Sequence, residues 1–343
     1  MSPTAVHRGI AAAVSATALL LAAACGSGDS GTGTSGGGNK VAAVIMGLDN
    51  PFFQSMEQGI EDQAKTAGTE VTVQAANSIT DTTGQADKLT GLAGQDYGCY
   101  IVNPISGTNL IQGMAQLAAQ KKAIVNIDSP VDAAAAKAAN ATPATYIGTN
   151  NTSAGEKAGQ QMVTLLPGGG EVAAIGGIAG DVTSGQRVDG FTKAITGKLD
   201  LVQTVAANWE RQEALTQATN IMRAQPGLKG FFVANDDMGL GVARAVQTAG
   251  KAGQIKIISV DGIKDALTAV QNGEIDAVVA QYPYTIGQMG MEACQAIAKG
   301  ATVPASVEAP VEVVTEDNAG EALAATPKPF GAYDDPFTTL LGS

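Results

Sequence analysis

Histidine is all but missing from this chain. The single one, His7, lies among the first two dozen residues. Ser-His-Asp and Cys-His nucleophilic catalysis, and zinc sites that use histidine, are therefore excluded from everything downstream. Charge is scarce too, at 15% of residues, and unbalanced, with 20 basic side chains against 32 acidic ones. A body this acidic repels phosphate backbones, so no nucleic-acid partner is expected. Cysteine occurs three times, as Cys25, Cys99 and Cys294, with no clustering that would suggest a metal. Nucleotide-binding turns are missing: Gly239-Leu-Gly241 lacks the third glycine of a dinucleotide loop, and Gly197-Lys198 runs into Leu199 where a phosphate loop needs Ser or Thr. No calcium-loop ladder of Asp and Asn occurs, and Ser184 has no base to activate it. No cofactor, no metal and no enzymatic activity are expected.

The chain is rich in hydrophobic residues, 45% of 343, enough for two domains with cores of their own. Its start differs from the rest. Arg8 precedes an uncharged Ala/Leu/Val run ending at Ala24, the layout of a secretory signal peptide spanning residues 1–24. Leu21-Ala-Ala-Ala-Cys25 resembles a bacterial lipobox with its leucine displaced by one position, so Cys25 is expected to carry lipid. Residues 25–39 then form a Gly/Ser/Thr tether reaching about 20 Å. The location that follows is extracytoplasmic, anchored to the cell membrane.

From Lys40 onward apolar runs alternate with helical patterns, which predicts parallel sheets flanked by helices. Strands are expected at 41–46, 70–76, 98–103, 123–128 and 144–149, then at 171–176, 201–206, 231–235, 255–260 and 275–281, with a short last one at 311–315. Helices are expected near 51–67, 82–94, 108–121, 152–166, 184–197, 211–224, 237–250, 263–271 and 285–299. Each series has the size of one doubly wound domain. Polar residues recur where strands end: Asp49, Asn50, Asn103, Asp128, Asn235, Asp261 and Gln281. Two such domains with these ends facing would enclose one polar cleft. The first strand-to-helix turn is the most telling, because Asp49 and Asn50 stand beside Phe52 and Phe53. Hydrogen-bonding edges next to flat apolar faces suit a sugar, although helix capping and core packing would account for the same residues. Cys99 and Cys294 fit either a bridge or two separately buried thiols.

Seven motifs occur in order: Asn50-Pro-Phe-Phe53, Val102-Asn-Pro104, Asn126-Ile-Asp128, Arg187-Val-Asp-Gly-Phe191, Ala234-Asn-Asp-Asp-Met238, Val260-Asp-Gly262 and Ala280-Gln281. Through them the chain resembles the type I periplasmic sugar-binding proteins of bacterial ABC importers, most closely the ribose-binding ones. The resemblance implies two lobes joined by three crossovers, near 149–150, 281–283 and 309–311. The lobes would be 40–149 with 282–309, and 150–281 with 310–320, leaving 321–343 as a surface strap or frayed tail. It implies that Phe52, Phe53 and Trp209 stack on a sugar ring. Asn50, Asn103, Asp128, Asn235, Asp261 and Gln281 would bind its hydroxyls, with Arg187 donating to its oxygens. Asp49 would add an acceptor at the same rim. The ribose binders carry an arginine directly after the Asp128 position, where this chain has Ser129. Another pentose, a hexose, a cyclitol or a sugar alcohol therefore gains weight as ligand. The expected partner is a membrane ABC permease, and a monomer is the expected state. Three alternatives share parts of this pattern. A receptor feeding a membrane signalling partner would look the same. A secreted glycosidase would use Asp128 and Asp261 as its carboxylate pair. A repressor core of this fold would need a helix-turn-helix where the chain has a leader and a tether.

Overall fold

The structure, a computed structural model, describes residues 40–342; the calls on Cys25 and the leader lie outside them. Among the described residues there are twelve strands: β1 (Lys40–Ile45), β2 (Glu70–Ala75), β3 (Cys99–Val102), β4 (Ala123–Ile127), β5 (Thr145–Gly148), β6 (Glu171–Gly176), β7 (Asp200–Ala206), β8 (Leu228–Val233), β9 (Lys256–Asp261), β10 (Ala277–Gln281), β11 (Ser306–Glu308) and β12 (Val311–Thr315). They form two six-stranded sheets, ordered β11-β5-β4-β3-β1-β2 and β12-β10-β9-β8-β6-β7. Every pairing is parallel except β10 with β12. Interior strands are covered by helices on both faces, and so read as continuous apolar runs. In β1 everything after Lys40 is buried, and Ala43 pairs with Val73 on one side and Ile101 on the other.

Local chemistry sets the helix ends that face the strand rims. Asn50 caps the helix Pro51–Ala67 by accepting from the Phe52 N–H at 3.0 Å, and Pro51 occupies its first turn, where a missing N–H costs nothing. Gly68 ends it in the left-handed region, at φ 64°. Asp181 and Asn235 likewise cap Val182–Ile195 and Asp236–Thr248.

The chain passes between the sheets after β5, after β10 and between β11 and β12. Helix Pro283–Ala298, reached by the second passage, packs on β3, β4 and β5 and is nearly all buried. A disulfide joins its Cys294 to Cys99 at the start of β3, with 5.7 Å between Cα atoms. Four elements had no clear signal in the sequence: the three-residue β11 and the helices Ala133–Ala138, Ala319–Ala325 and Pro336–Gly342. Two further helices follow β12 among the described residues. Helix Ala319–Ala325 packs on Lys264–Gln271 and β12, whereas Pro336–Gly342 packs on Pro283–Ala298. Phe337 is fully buried there, and the Lys299 ammonium donates to the Leu341 carbonyl at 2.7 Å. The tail thus makes a fourth passage from one lobe to the other.

Candidate functional site

Turns at the carboxyl ends of both sheets meet in a cleft lined by polar, aliphatic and aromatic side chains, the composition usual for small-molecule sites. The first lobe contributes Met46, Asn50, Phe52 and Phe53 around the end of β1, and Asp128 and Ser129 after β4. The second contributes Arg187 from helix Val182–Ile195, Trp209 after β7, Asn235 after β8 and Asp261 at the end of β9.

Arg187 is the electrostatic centre, only 4% exposed. Its Nε donates to Asn151 Oδ1 at 2.8 Å; its Nη1 donates to the Ala234 carbonyl at 2.6 Å and to Asp261 Oδ1 at 3.1 Å. Those bonds occupy three of the five guanidinium donors and leave Nη2 for the cleft. Asp261 also accepts from Gln281 Nε2 at 2.7 Å. Burial pushes its carboxyl up, and Arg187 pulls it back. Asp128 lacks so close a cation. Burial pushes it up to about 7, with Arg187 and Asn103 opposing the rise and Asp261 adding to it. Asn50 and Asn235 each spend the side-chain oxygen on capping a helix, at 3.0 and 2.9 Å. Their amide N–H groups remain as donors.

The aromatic walls come from opposite lobes. Phe52 and Phe53 meet edge to face with centroids 5.1 Å apart, a favoured geometry. Trp209 lies against Gly177, where a Cβ would come within 2.1–2.4 Å of the indole. Arg187 sits 5.8 Å from the indole centroid, within cation–π reach. Gly177 thus sets the ring's position by having no side chain. Gly177→Ala is expected to push Trp209 into the cleft, shifting its emission maximum; an unchanged spectrum would contradict this contact.

Three cleft residues hold backbone angles that L-residues seldom adopt: Asp128 at φ 57°, Trp209 at φ 65° and Asp261 at φ 143°. Such conformations cost about 1–3 kcal/mol each and concentrate where function demands them. The Tyr146 hydroxyl helps to hold the first, donating to the Asp128 carbonyl at 2.6 Å.

Not every residue singled out from the sequence reaches the cleft. Asp49 is exposed to solvent and does not line it. Asn103 is fully buried behind Ser129, accepting from its N–H at 3.4 Å and facing Met56 Sδ. Gln281 is also behind the wall, with both ends of its amide engaged, by Asp261 and by the Thr149 hydroxyl at 2.6 Å. Both amides support cleft residues instead of lining the cavity. Conversely, Met46, Ile79, Ile105, Ile178, Asp181 and Thr183 line the cleft without having been singled out. The aliphatic ones read as core. Asp181 reads as a helix cap, and the Asp-Val-Thr turn directly after a strand was the signal available for it.

Comparison with known proteins agrees with this architecture. Residues 41–302 match the periplasmic binding protein domain family. The chain is 37% identical over 256 residues to the D-allose-binding periplasmic protein of Escherichia coli K12, covering 73% of this chain and 82% of that one. It is 27% identical over 318 residues to a fructose import binding protein of Bifidobacterium longum, covering 92% and 96%. Among solved structures, a solute-binding protein of an Actinobacillus succinogenes ABC transporter, with bound D-allose, superposes with a TM-score of 0.78 at 28% identity, covering 82% of this chain and 99% of that one. These relatives are binding proteins rather than enzymes, so the glycosidase alternative lapses. By its two six-stranded parallel-sheet lobes, its interlobe cleft and its sequence, the chain belongs to the periplasmic binding protein family, among the type I solute-binding proteins related to ribose- and allose-binding proteins.

Proposed function

We propose that the protein binds a monosaccharide or sugar alcohol between its lobes and delivers it to an ABC permease, as an extracytoplasmic lipoprotein held by Cys25. The observation that carries this reading is the pairing of aromatic walls from both lobes with a buried polar set between them. Phe52, Phe53 and Trp209 offer faces to the C–H groups of a ring. Asp128 and Asp261 accept from hydroxyls, while Asn50, Asn235 and Arg187 donate. Closed around a ring, these groups exclude water and so strengthen one another. D-allose, or an aldose of related stereochemistry, is the first ligand to consider, given the relatives described above.

Closure follows from where the contacts sit. A ligand touching both lobes favours the shut arrangement by its differential affinity for it. Thr149 and Gln281, on the first two passages between lobes, hydrogen-bond to each other, and Gln281 holds Asp261. The hinge and the site therefore share one network.

The experiment is a thermal-shift and Trp209 fluorescence screen against pentoses, hexoses, cyclitols and sugar alcohols. A ligand at 100 times its Kd is expected to stabilise the protein by about 2.7 kcal/mol and to perturb the single tryptophan. Silence across the whole panel would move the ligand outside simple carbohydrates. For the anchor, Cys25→Ser is expected to move the protein from the membrane to the soluble extracytoplasmic fraction, and continued membrane retention would contradict lipidation.

A further inference from the structure

One corner of the cleft carries more polar capacity than the ring contacts above use. Ile178 and Asp181 lie on the turn after β6 and Thr183 in the first turn of the helix Val182–Ile195, all in the second lobe, and Ser129 and Ile105 come from the first lobe. Asp181 lines the same cleft as Asp128 and Arg187, and its charge adds to the rise of the Asp128 carboxyl. Its carboxylate has a set direction, because Oδ1 caps the helix by accepting the Ser184 N–H at 2.7 Å. The Ser184 hydroxyl in turn accepts the Gly177 N–H at 2.8 Å, tying the turn to the strand end beneath Trp209. A carboxylate offers about four lone-pair positions, so capacity remains after the cap. Among the described residues, neither the Ser129 nor the Thr183 hydroxyl has a protein hydrogen-bond partner. Met46, Ile79, Ile105 and Ile178 line the same cleft; they can take CH₂ but cannot satisfy a hydroxyl.

Short polar groups among aliphatic ones match a substituent that is itself half apolar. We propose that the Asp181–Thr183–Ser129 corner reads the exocyclic hydroxymethyl group of an aldohexopyranose, with Asp181 accepting its hydroxyl and the aliphatic side chains packing its CH₂. Asp181 is then a specificity-determining residue, selecting hexoses over pentoses and over 6-deoxyhexoses. This rests on the sugar-binding reading and extends it. Discrimination of this kind is steep because a ligand without the hydroxyl leaves a buried acceptor unmatched.

Three sugars isolate the group: D-allose, 6-deoxy-D-allose, which lacks only the hydroxyl, and D-ribose, whose pyranose form is allopyranose without the whole substituent. Calorimetry on the wild-type protein is expected to show D-allose bound at least tenfold more tightly than either of the others. Asp181→Asn keeps a good helix cap but turns acceptor capacity into a donor. It is expected to weaken D-allose by about 10- to 100-fold, the range for a hydrogen bond to a charged group. Affinity for 6-deoxy-D-allose and the melting temperature should stay nearly constant. Equal loss for all three sugars, or no loss for D-allose, would overturn the assignment. If the wild-type protein binds the three sugars equally, the corner does not read the substituent, while the sugar site itself stands. If it binds none of them, the hydroxymethyl assignment falls, while the sugar-binding reading itself fails only with silence across the wider panel.

Discussion

Arg187→Ala is expected to destabilise the folded protein by about 3–5 kcal/mol, the cost of removing one partner from a buried ion pair. It should also abolish measurable ligand binding. The side chain is held by Asn151, Ala234 and Asp261 at once, so its loss orphans three acceptors, one of them a charge. The cost should depend on pH, and its sign can be worked out. In the native protein, burial already raises Asp261 and Asp128, and Arg187 is what opposes the rise. Without the guanidinium both carboxyls rise further above their unfolded values, so the folded state binds protons more strongly than the unfolded state. Stability then falls as pH rises through the interval between the unfolded value, about 3.9, and the raised folded one. The variant should therefore unfold more readily at pH 8 than at pH 5.5, with a gap from wild type that widens as pH rises. Urea denaturation at the two pH values measures this. A gap independent of pH would mean that the carboxylates do not carry the loss.

The second large effect concerns the disulfide. Reduction, or Cys99→Ala with Cys294→Ala, is expected to lower the unfolding free energy by about 2–4 kcal/mol, because the bridge closes a loop with 195 residues of sequence separation. For a protein of this size the melting temperature should fall by roughly 2–4 °C per kcal/mol. Ligand affinity should change little, since the bridge lies at the opposite end of β3 from Asn103 and the cleft. Equal melting temperatures with and without reductant would show that the bridge contributes nothing to the native state.

The two-lobed architecture is legible in the sequence because strands covered on both faces must be apolar throughout, as 41–45 and 277–280 are. Helix caps such as Asn50 and Asn235 then mark where strands end. Those rims are where ligands bind in open parallel sheets, so many cleft residues can be located by position alone. Position does not say which way a side chain points. Asn103 and Gln281 stand at strand ends like Asp128 and Asp261, yet they turn behind the wall and hold their neighbours. The aliphatic lining is illegible for another reason: Ile79, Ile105 and Ile178 could pack equally well in any core. The fourth passage is hidden because a segment of Pro, Gly and Asp gives no periodic signal. Among its described residues Phe337 alone is fully buried, and an aromatic in such a stretch reads as a surface residue.

The dispersed ancestry of each lobe along the chain also has a consequence for the order of events in time. The first lobe takes the helix Pro283–Ala298 and β11 from beyond the whole of β6 to β10, and the second takes β12 from beyond those. During synthesis, the sheet that begins first cannot gain its central packing helix until nearly all of the other sheet has emerged. Domains made from continuous segments can finish one after another from the N-terminus; here the two lobes must mature together, late, and with the last residues of the chain crossing over to tie them.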